Sequence, residues 1–339
     1  MVTQEQIARK LGLSRQLVTF ALAGYPQVSE KSRQRILDAA LKMGYRPNPH
    51  ALALKRKRTG MIALWIPDQI STHYSHVARE LNRLVKRERQ ELIISEVGVA
   101  EVEQVLSHVP VDGVIAVDAQ AQIEAYRRTP AARSIPIVSM GVNGSDQTDS
   151  VQVDLQSGTK TLMRHLLDSG RRRIAHATFI QKGRPQSDRK LAYQTAMRQA
   201  GLKPEYIYYP LTDQLRPVTR RLIQEYIREH GCPEVIFCHS DDAALGIYRG
   251  LCDLKLRVPE DVLLAGCDGI EDVEYLENPL TTLVQPVAEM CAAAWRFLMN
   301  RLDQPAMKRQ SIILKSELTV RESTIGKPTR QTPFISEAE

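Results

Sequence analysis

The sequence predicts a small all-helical head joined to a larger α/β body built on parallel sheets. Three observations predict it. The first twenty-two residues carry two short amphipathic stretches with a glycine between them. From Met61 onward, short β-rich runs alternate with helical stretches, the pattern of strand–helix–strand units. The charge is also split. The chain carries +7 overall, yet residues 1–60 hold twelve Lys and Arg against three acids, net +9, which leaves −2 on the remainder. A basic head on a near-neutral body is the footprint of a module that binds a polyanion.

The head reads residue by residue. Thr3 stands three positions before Gln6, the spacing of a capping box at a helix start. Ile7, Ala8 and Leu11 recur at helical spacing and predict a buried face. Gly12 follows where a helix end needs positive φ, and Leu13 plugs the turn. Ser14 caps a second helix whose Leu17, Val18, Ala21 and Leu22 form the facing stripe. Arg15, Gln16 and Thr19 are left on the exposed side near the start of that helix, the part of a helix-turn-helix that reaches base edges in the major groove. Gly24 and Pro26 break the chain, and Ser29 caps a third helix with Glu30 in its first turn. Its buried face is expected to be Ile36, Leu37, Ala40 and Leu41, and Gly44 ends it. Two amphipathic helices around a glycine also occur in proteins that never meet DNA. The +9 charge and the next segment favour the DNA reading.

Pro47 and Pro49 set an extended link, followed by a short helix over residues 50–57 with Asn48 as its cap and Pro49 at its first position. Ala51 and Leu54 share a face, and Lys55, Arg56, Lys57 and Arg58 follow at once. The segment is too short and polar to stand alone in water. It is expected to order when two copies meet on DNA, each inserting a leucine into the minor groove and kinking it.

A length of 339 residues exceeds one ordinary core and predicts two or three domains. Hydrophobic content of 43% and charged content of 25% are those of a soluble globular chain, and no apolar run is long enough to span a membrane. No basic-then-apolar leader opens the sequence, so the expected location is the cytoplasm, associated with the nucleoid. The five cysteines all lie beyond residue 230 without a C-x-x-C spacing, as reduced thiols would. No G-x-x-x-x-G-K-[ST] loop, G-x-G-x-x-G turn, H-E-x-x-H helix or G-x-S-x-G elbow occurs, and the eight histidines have no ligand spacing. No catalytic set, metal site or cofactor is therefore expected, and the chain does not read as an enzyme.

In the body, strands are expected at residues 61–66, 92–97, 113–117, 135–140, 173–178, 235–238 and 262–266. Helices are expected at 77–87, 157–169, 190–200 and 219–230. Sheets of this kind bind ligands outside the C-terminal ends of their strands. Ser240 and Asp241 follow one such strand, and Asp241 either meets the ligand or caps a helix beginning at Asp242.

These residues carry a resemblance. The pattern V-T-x-x-x-[IV]-A-x-x-x-G-[VL]-S occurs at residues 2–14, followed by Val28-Ser29, Gly44-Tyr45-Arg46-Pro47-Asn48, Ala51 and Leu54. In this order and spacing the first 55 residues resemble the headpiece and hinge of the LacI/GalR family of bacterial transcription regulators. The resemblance continues to about residue 322, through Arg171-Arg172-Arg173-Ile174, Val258-Pro259-Glu260-Asp261-Val262 and Gly266-Cys267-Asp268. It implies an N-terminal helix-turn-helix headpiece (1–45), a hinge with a short helix (46–59) and a periplasmic-binding-protein-like body of two doubly wound lobes (60–325). The N-lobe would comprise about 60–154 and 288–315, the C-lobe about 155–287 and 316–325, with crossings near 155, 287 and 316. Residues 326–339, Pro/Thr/Gln-rich and without a leucine heptad, would form a flexible tail.

Carried over position by position, the resemblance implies DNA contacts from Thr3, Ser14, Arg15, Gln16, Thr19, Phe20, Ser29, Asn48, Ala51, Leu54 and Lys55. Phe20 replaces a frequent Arg or His and implies an apolar contact, such as one to a thymine methyl. Leu52 replaces a frequent Arg. Effector contacts are implied for His73, Tyr74, Arg189, Ser240, Asp241 and Asp268. Ser240 stands where the family usually has Asn. The stacking aromatic that many members carry near residues 212–215 is replaced by Thr-Asp-Gln-Leu, and together these argue against a plain hexose. The implied function is a homodimer on a palindromic double-stranded operator, most simply a repressor, controlled by a sugar-like small molecule. Activation, or control by a protein corepressor, are the alternatives. A solute-binding module would share the body but have no use for the head.

Overall fold

The computed structural model describes residues 2–45, 58–67, 71–180 and 187–325. It divides into two compact units, one through residue 59 and one from residue 60. Asn48, Ala51, Leu52, Leu54 and Lys55 of the expected hinge, and the tail from residue 326, lie outside the described residues.

The head holds three helices, α1 (Gln4–Leu11), α2 (Arg15–Leu22) and α3 (Glu30–Lys42). Each begins as its cap predicts. The Thr3 hydroxyl accepts from Gln6 N while the Gln6 side chain accepts from Thr3 N, closing the capping box. Ser14 Oγ accepts from Leu17 N, and Ser29 Oγ accepts from Ser32 N. Gly12 adopts φ 65°, which a side chain would resist, and its N–H is used to close α1. The core gathers Ile7, Ala8, Val18, Ala21, Val28, Ile36, Ala39 and Ala40.

The buried face of α3 differs from the expected one. Leu37 is 40% exposed and Leu41 is 82% exposed. The helix turns Ile36, Ala39, Ala40 and Met43 inward, at i, i+3, i+4 and i+7. Small alanines let α3 approach α1 and α2 closely, and the larger leucines fall about 100° round the helix.

The body contains two six-stranded sheets. Its first elements are β1 (Met61–Ile66), α4 (Thr72–Arg87), β2 (Glu91–Glu96), α5 (Val102–His108), β3 (Gly113–Val117), α6 (Gln120–Arg127), β4 (Ile137–Gly141) and β5 (Asp149–Asp154). There follow α7 (Leu155–Asp168), β6 (Ile174–Phe179), α8 (Asp188–Gln199), β7 (Glu205–Tyr209), α9 (Leu215–His230), β8 (Val235–Cys238), α10 (Asp241–Asp253), β9 (Leu263–Asp268) and β10 (Thr281–Val284). The chain closes with α11 (Val287–Asp303), β11 (Ser311–Lys315) and β12 (Glu317–Thr319).

The N-lobe sheet runs β11-β5-β4-β3-β1-β2, all parallel. The C-lobe sheet runs β12-β10-β9-β8-β6-β7, parallel except for β12 against β10. Central strands are buried on both faces. Ile62, Leu64 and Ile66 of β1 join the cluster with Val77, Leu81 and Val85 of α4 and Ala294 and Leu298 of α11. Ala63 and Trp65 face the other way, onto Val102, Leu106, Ile123 and Tyr126 of α5 and α6. This explains why these strands read as continuous apolar runs.

The chain passes between the sheets three times, after β5, after β10 and between β11 and β12. Two passages are tied together, since Ser316 Oγ donates to the Asp154 carbonyl at 2.8 Å. Helices start just beyond strand ends where the strands face the opposite lobe, and this places the side chains described next.

Candidate nucleic-acid interface and ligand cleft

In the head, Arg15 and Gln16 are exposed at the first two positions of α2, next to a helix N-terminus that favours anions. Thr19 is less available than the sequence suggested. Its hydroxyl is half-buried between two acceptors, Gln4 Oε1 at 2.8 Å and the Arg15 carbonyl at 2.9 Å, so its single proton is already engaged. Gln4 Nε2 in turn donates to Tyr45 Oη at 3.0 Å, which links the last described residue of the head to α2. Phe20 packs its ring against Tyr25, with centroids 5.2 Å apart, and against the head core. That ring has an intramolecular role the sequence did not assign. The Ser14 and Ser29 oxygens each accept a capping N–H, and the Ser29 hydroxyl donates to Ser32 Oγ. Two basic residues are structural: Arg33 Nη2 donates to the Tyr25 carbonyl at 2.7 Å, and Arg35 Nη2 donates to the Leu11 carbonyl.

In the body, the N-lobe wall of the cleft comes from the start of α4 and the end of β3. His73 is buried, edge-to-face with Tyr74 at 5.3 Å, and its Nδ1 has no partner. Burial pulls its pKa down to about 4, so the ring is neutral at neutral pH. Tyr74 Oη donates to Asp118 Oδ2 at 3.2 Å, and Val142 N donates to Asp118 Oδ1 at 2.8 Å. Burial beside Asp118 pushes the Tyr74 phenol well above its usual range.

The C-lobe wall centres on Arg189, in the first turn of α8. Its Nη1 donates to the His239 carbonyl at 2.8 Å and to Cys267 Sγ at 3.4 Å, and lies 3.6 Å from Asp268 Oδ1. Its Nε is buried without a partner. Asp268 ends β9 at φ 128°, a conformation non-glycine residues rarely adopt. Its Oδ1 accepts from Gln285 Nε2 at 2.8 Å, and Gln285 lies in the second passage between lobes. Burial raises the Asp268 pKa to about 7, against the opposing pull of Arg189. The Asp118 and Asp242 charges add to that rise.

Ser240 is the N-cap of α10, its Oγ accepting from Ala243 N. Asp241 is a correction. It neither caps a helix from Asp242 nor faces the cleft, because α10 already begins at Asp241 and its side chain is fully buried. Its Oδ2 accepts from Gly269 N at 2.7 Å and Ile270 N at 3.0 Å, and its Oδ1 accepts from Thr282 Oγ1 at 2.7 Å. The carboxylate pins the turn after β9 and so holds Asp268 in place.

A clasp that the sequence did not reveal joins the lobes. Asp242, in α10, accepts from Thr72 N and Thr72 Oγ1, each at 3.0 Å, at the first residue of α4. Ser71 makes no side-chain cap there, so the opposite lobe caps this helix. Arg216 of α9 completes the group, donating to Asp242 Oδ1 at 2.9 Å, to Thr72 Oγ1 at 2.9 Å and to Asp272 Oδ2 at 2.8 Å.

A basic three-helix head on a body of two lobes that each offer polar side chains to a shared cleft narrows the possible relatives. A family profile described as a periplasmic binding protein-like domain matches residues 163–324. Catabolite control protein A of Priestia megaterium is 25% identical over 333 residues, covering 95% of this chain and 99% of that protein. The ribose operon repressor of Haemophilus influenzae is 27% identical over 331 residues, covering 95% and 98%. Over nearly its whole length the chain is similar to LacI-family transcription regulators. The likeness runs through the head as well as the body. The lac repressor dimer, solved bound to operator and the anti-inducer ONPF, superposes with a TM-score of 0.76 at 22% identity, covering 95% of this chain and 99% of that one. The LacI-family fold therefore holds for both units, taken one at a time. Among the described residues no helix is long and apolar enough to cross a membrane, and all five cysteines are free.

Proposed function

We propose that this LacI-family regulator binds a palindromic operator as a homodimer, represses transcription from it, and changes its affinity when a small polar metabolite fills the cleft. The carrying observation is the cleft chemistry. Two buried groups, His73 Nδ1 and Arg189 Nε, lack partners on opposite walls, and a buried polar atom without a partner is costly unless a ligand supplies one. Arg15 and Gln16 of each head would read base edges, with other basic side chains on phosphates. Ribose, cellobiose and lactose are bound in solved LacI-family neighbours, which supports a sugar-like effector here. We read the protein as a binding protein without catalytic activity, acting in the cytoplasm.

The test is to select bound duplexes from a random pool with the full-length protein. A palindromic motif should emerge, and its retention in a mobility-shift assay should change with one class of metabolite. Recovery of unrelated sequences after repeated rounds would end this reading.

A further inference from the structure

We propose that the effector is a small polyhydroxy compound bearing an amine, with the ammonium seated on Asp118. This deepens the cleft reading above and rests on it. The two sheets follow one plan, and comparing them exposes an anomaly. Gly141 ends β4 and Asp268 ends β9; each strand is third in its sheet, and φ is 129° at Gly141 and 128° at Asp268. In the C-lobe this position carries a carboxylate facing Arg189. In the N-lobe it is a glycine, and a Cβ there would collide with the Asp118 side chain. Asp118 follows the neighbouring strand β3 at φ 47° and fills that space with its own carboxylate.

Among the described residues the partners of Asp118 are the Val142 N–H and the Tyr74 hydroxyl, both uncharged. Among the described residues no Lys or Arg forms an ion pair with it. Arg189, the guanidinium facing this space, is held by Asp268 and the His239 carbonyl. Among the described residues, the guanidinium that contacts Asp268 makes no contact with Asp118, and no other cation does. A neutral ligand would leave that imbalance, and an ammonium would remove it with a charge-assisted hydrogen bond. The unpartnered His73 Nδ1 and Arg189 Nε suit the oxygens of a hydroxylated skeleton. Residues 212–215 supply no aromatic platform, so recognition falls to these polar groups.

Calorimetry and thermal shift on the full-length protein would compare glucosamine, galactosamine and mannosamine with glucose, galactose and mannose, and with N-acetylglucosamine as an uncharged amide. At least one amine should bind about tenfold or more tighter than its neutral parent and its acetylated form. Asp118→Asn, nearly isosteric, should erase that preference. Tyr74→Phe should reduce it, and melting of each ligand-free variant checks its fold. Equal binding of the neutral parent, a preference that survives in Asp118→Asn, or no stabilisation by any amine at millimolar concentration would overturn the proposal. A mobility shift without ligand separates this outcome from failure of the regulator reading. A protein that binds operator but prefers neutral sugars loses only the amine; one that binds amines but no operator loses the regulator.

Discussion

At the scale of single residues, the head offers two exposed side chains where a groove would meet them, and much else is committed inward. Arg15→Ala and Gln16→Ala should each relax base preference at one position by about 1–3 kcal/mol without altering the head fold. Selection of binding sites by the variants checks this; an unchanged motif from the double variant would exclude both from readout. The body carries a different residue-scale signature in His176. It stacks on Phe237 at 4.6 Å, its Nδ1 is 3.0 Å from the Phe237 carbonyl, and its Nε2 is buried without a partner. Burial lowers its pKa to about 3, so the folded chain refuses a proton that the unfolded chain accepts below about 6.5. Stability from this group is complete above that value and is lost as pH falls toward 3. His73 acts in the same sense. Asp241 and Asp268, both raised to about 7, take up protons on folding and act in the opposite sense as pH falls toward 4. His176→Phe should therefore flatten the acid limb of a urea-midpoint profile by up to one proton. A limb of unchanged slope would show that the histidine is not what makes the fold acid-labile.

At the scale of elements, the clasp shows how two helices from different lobes depend on each other. The first N–H of α4 is satisfied by Asp242 of α10, and Arg216 of α9 holds that carboxylate in place. Asp242→Ala would leave the Thr72 N–H without its acceptor and Arg216 with only Asp272 and Thr72, at a cost of about 1–3 kcal/mol. The lobes should also open more often, seen as a larger radius of gyration in X-ray scattering and faster proteolysis. Thr72→Ala should give a smaller change in the same direction; scattering profiles identical to the parent would mean the clasp does not restrain the lobes. Elements also show what was legible. Runs such as Met61–Ile66, Gly113–Val117 and Val235–Cys238 are apolar throughout and coincide with strands, because burial on both faces leaves no other composition. The strand Asp149–Asp154 went unseen because it is rich in polar residues. Its buried Asp149 is matched by a bidentate Arg301 more than 150 residues away, which no local pattern reveals. The helix Asp241–Asp253 was expected to start one residue later, at Asp242, because either Ser240 or Asp241 could serve as its cap. The inward face of α3 was misread because leucine outranks alanine in any hydropathy pattern, although close packing favoured the alanines. In the cleft, Arg189 and Asp268 were found through a motif. Asp118, His239, Gln285 and the clasp were missed, since they become neighbours only once the sheets are assembled.

At the scale of the whole molecule, the +9 on the first sixty residues governs how strongly the protein holds DNA, and the body supplies control. Arg33 and Arg35 already serve the head fold, so fewer than twelve cations are free for phosphates. Log affinity for operator should fall linearly with log salt. Six or more phosphate contacts would lose about a thousandfold or more between about 50 and 200 mM salt. Asp242→Ala should change affinity without changing that slope, because it removes no phosphate contact. Titration of both proteins over a salt series checks this, and a flat response in the parent would mean the head does not grip the backbone.

The strand β11 ends at Lys315 and β12 begins at Glu317, so Ser316 alone joins the outermost strand of one sheet to the outermost strand of the other. Its two steps of chain span at most about 7 Å and do not stretch. Along that border the halves of the body cannot slide or draw apart. Any rearrangement that a captured molecule produces has to be a swing about this edge, like a door on its jamb, with displacement growing with distance from it. The farther a side chain stands from Ser316, the more sensitively it reports whether the door is shut.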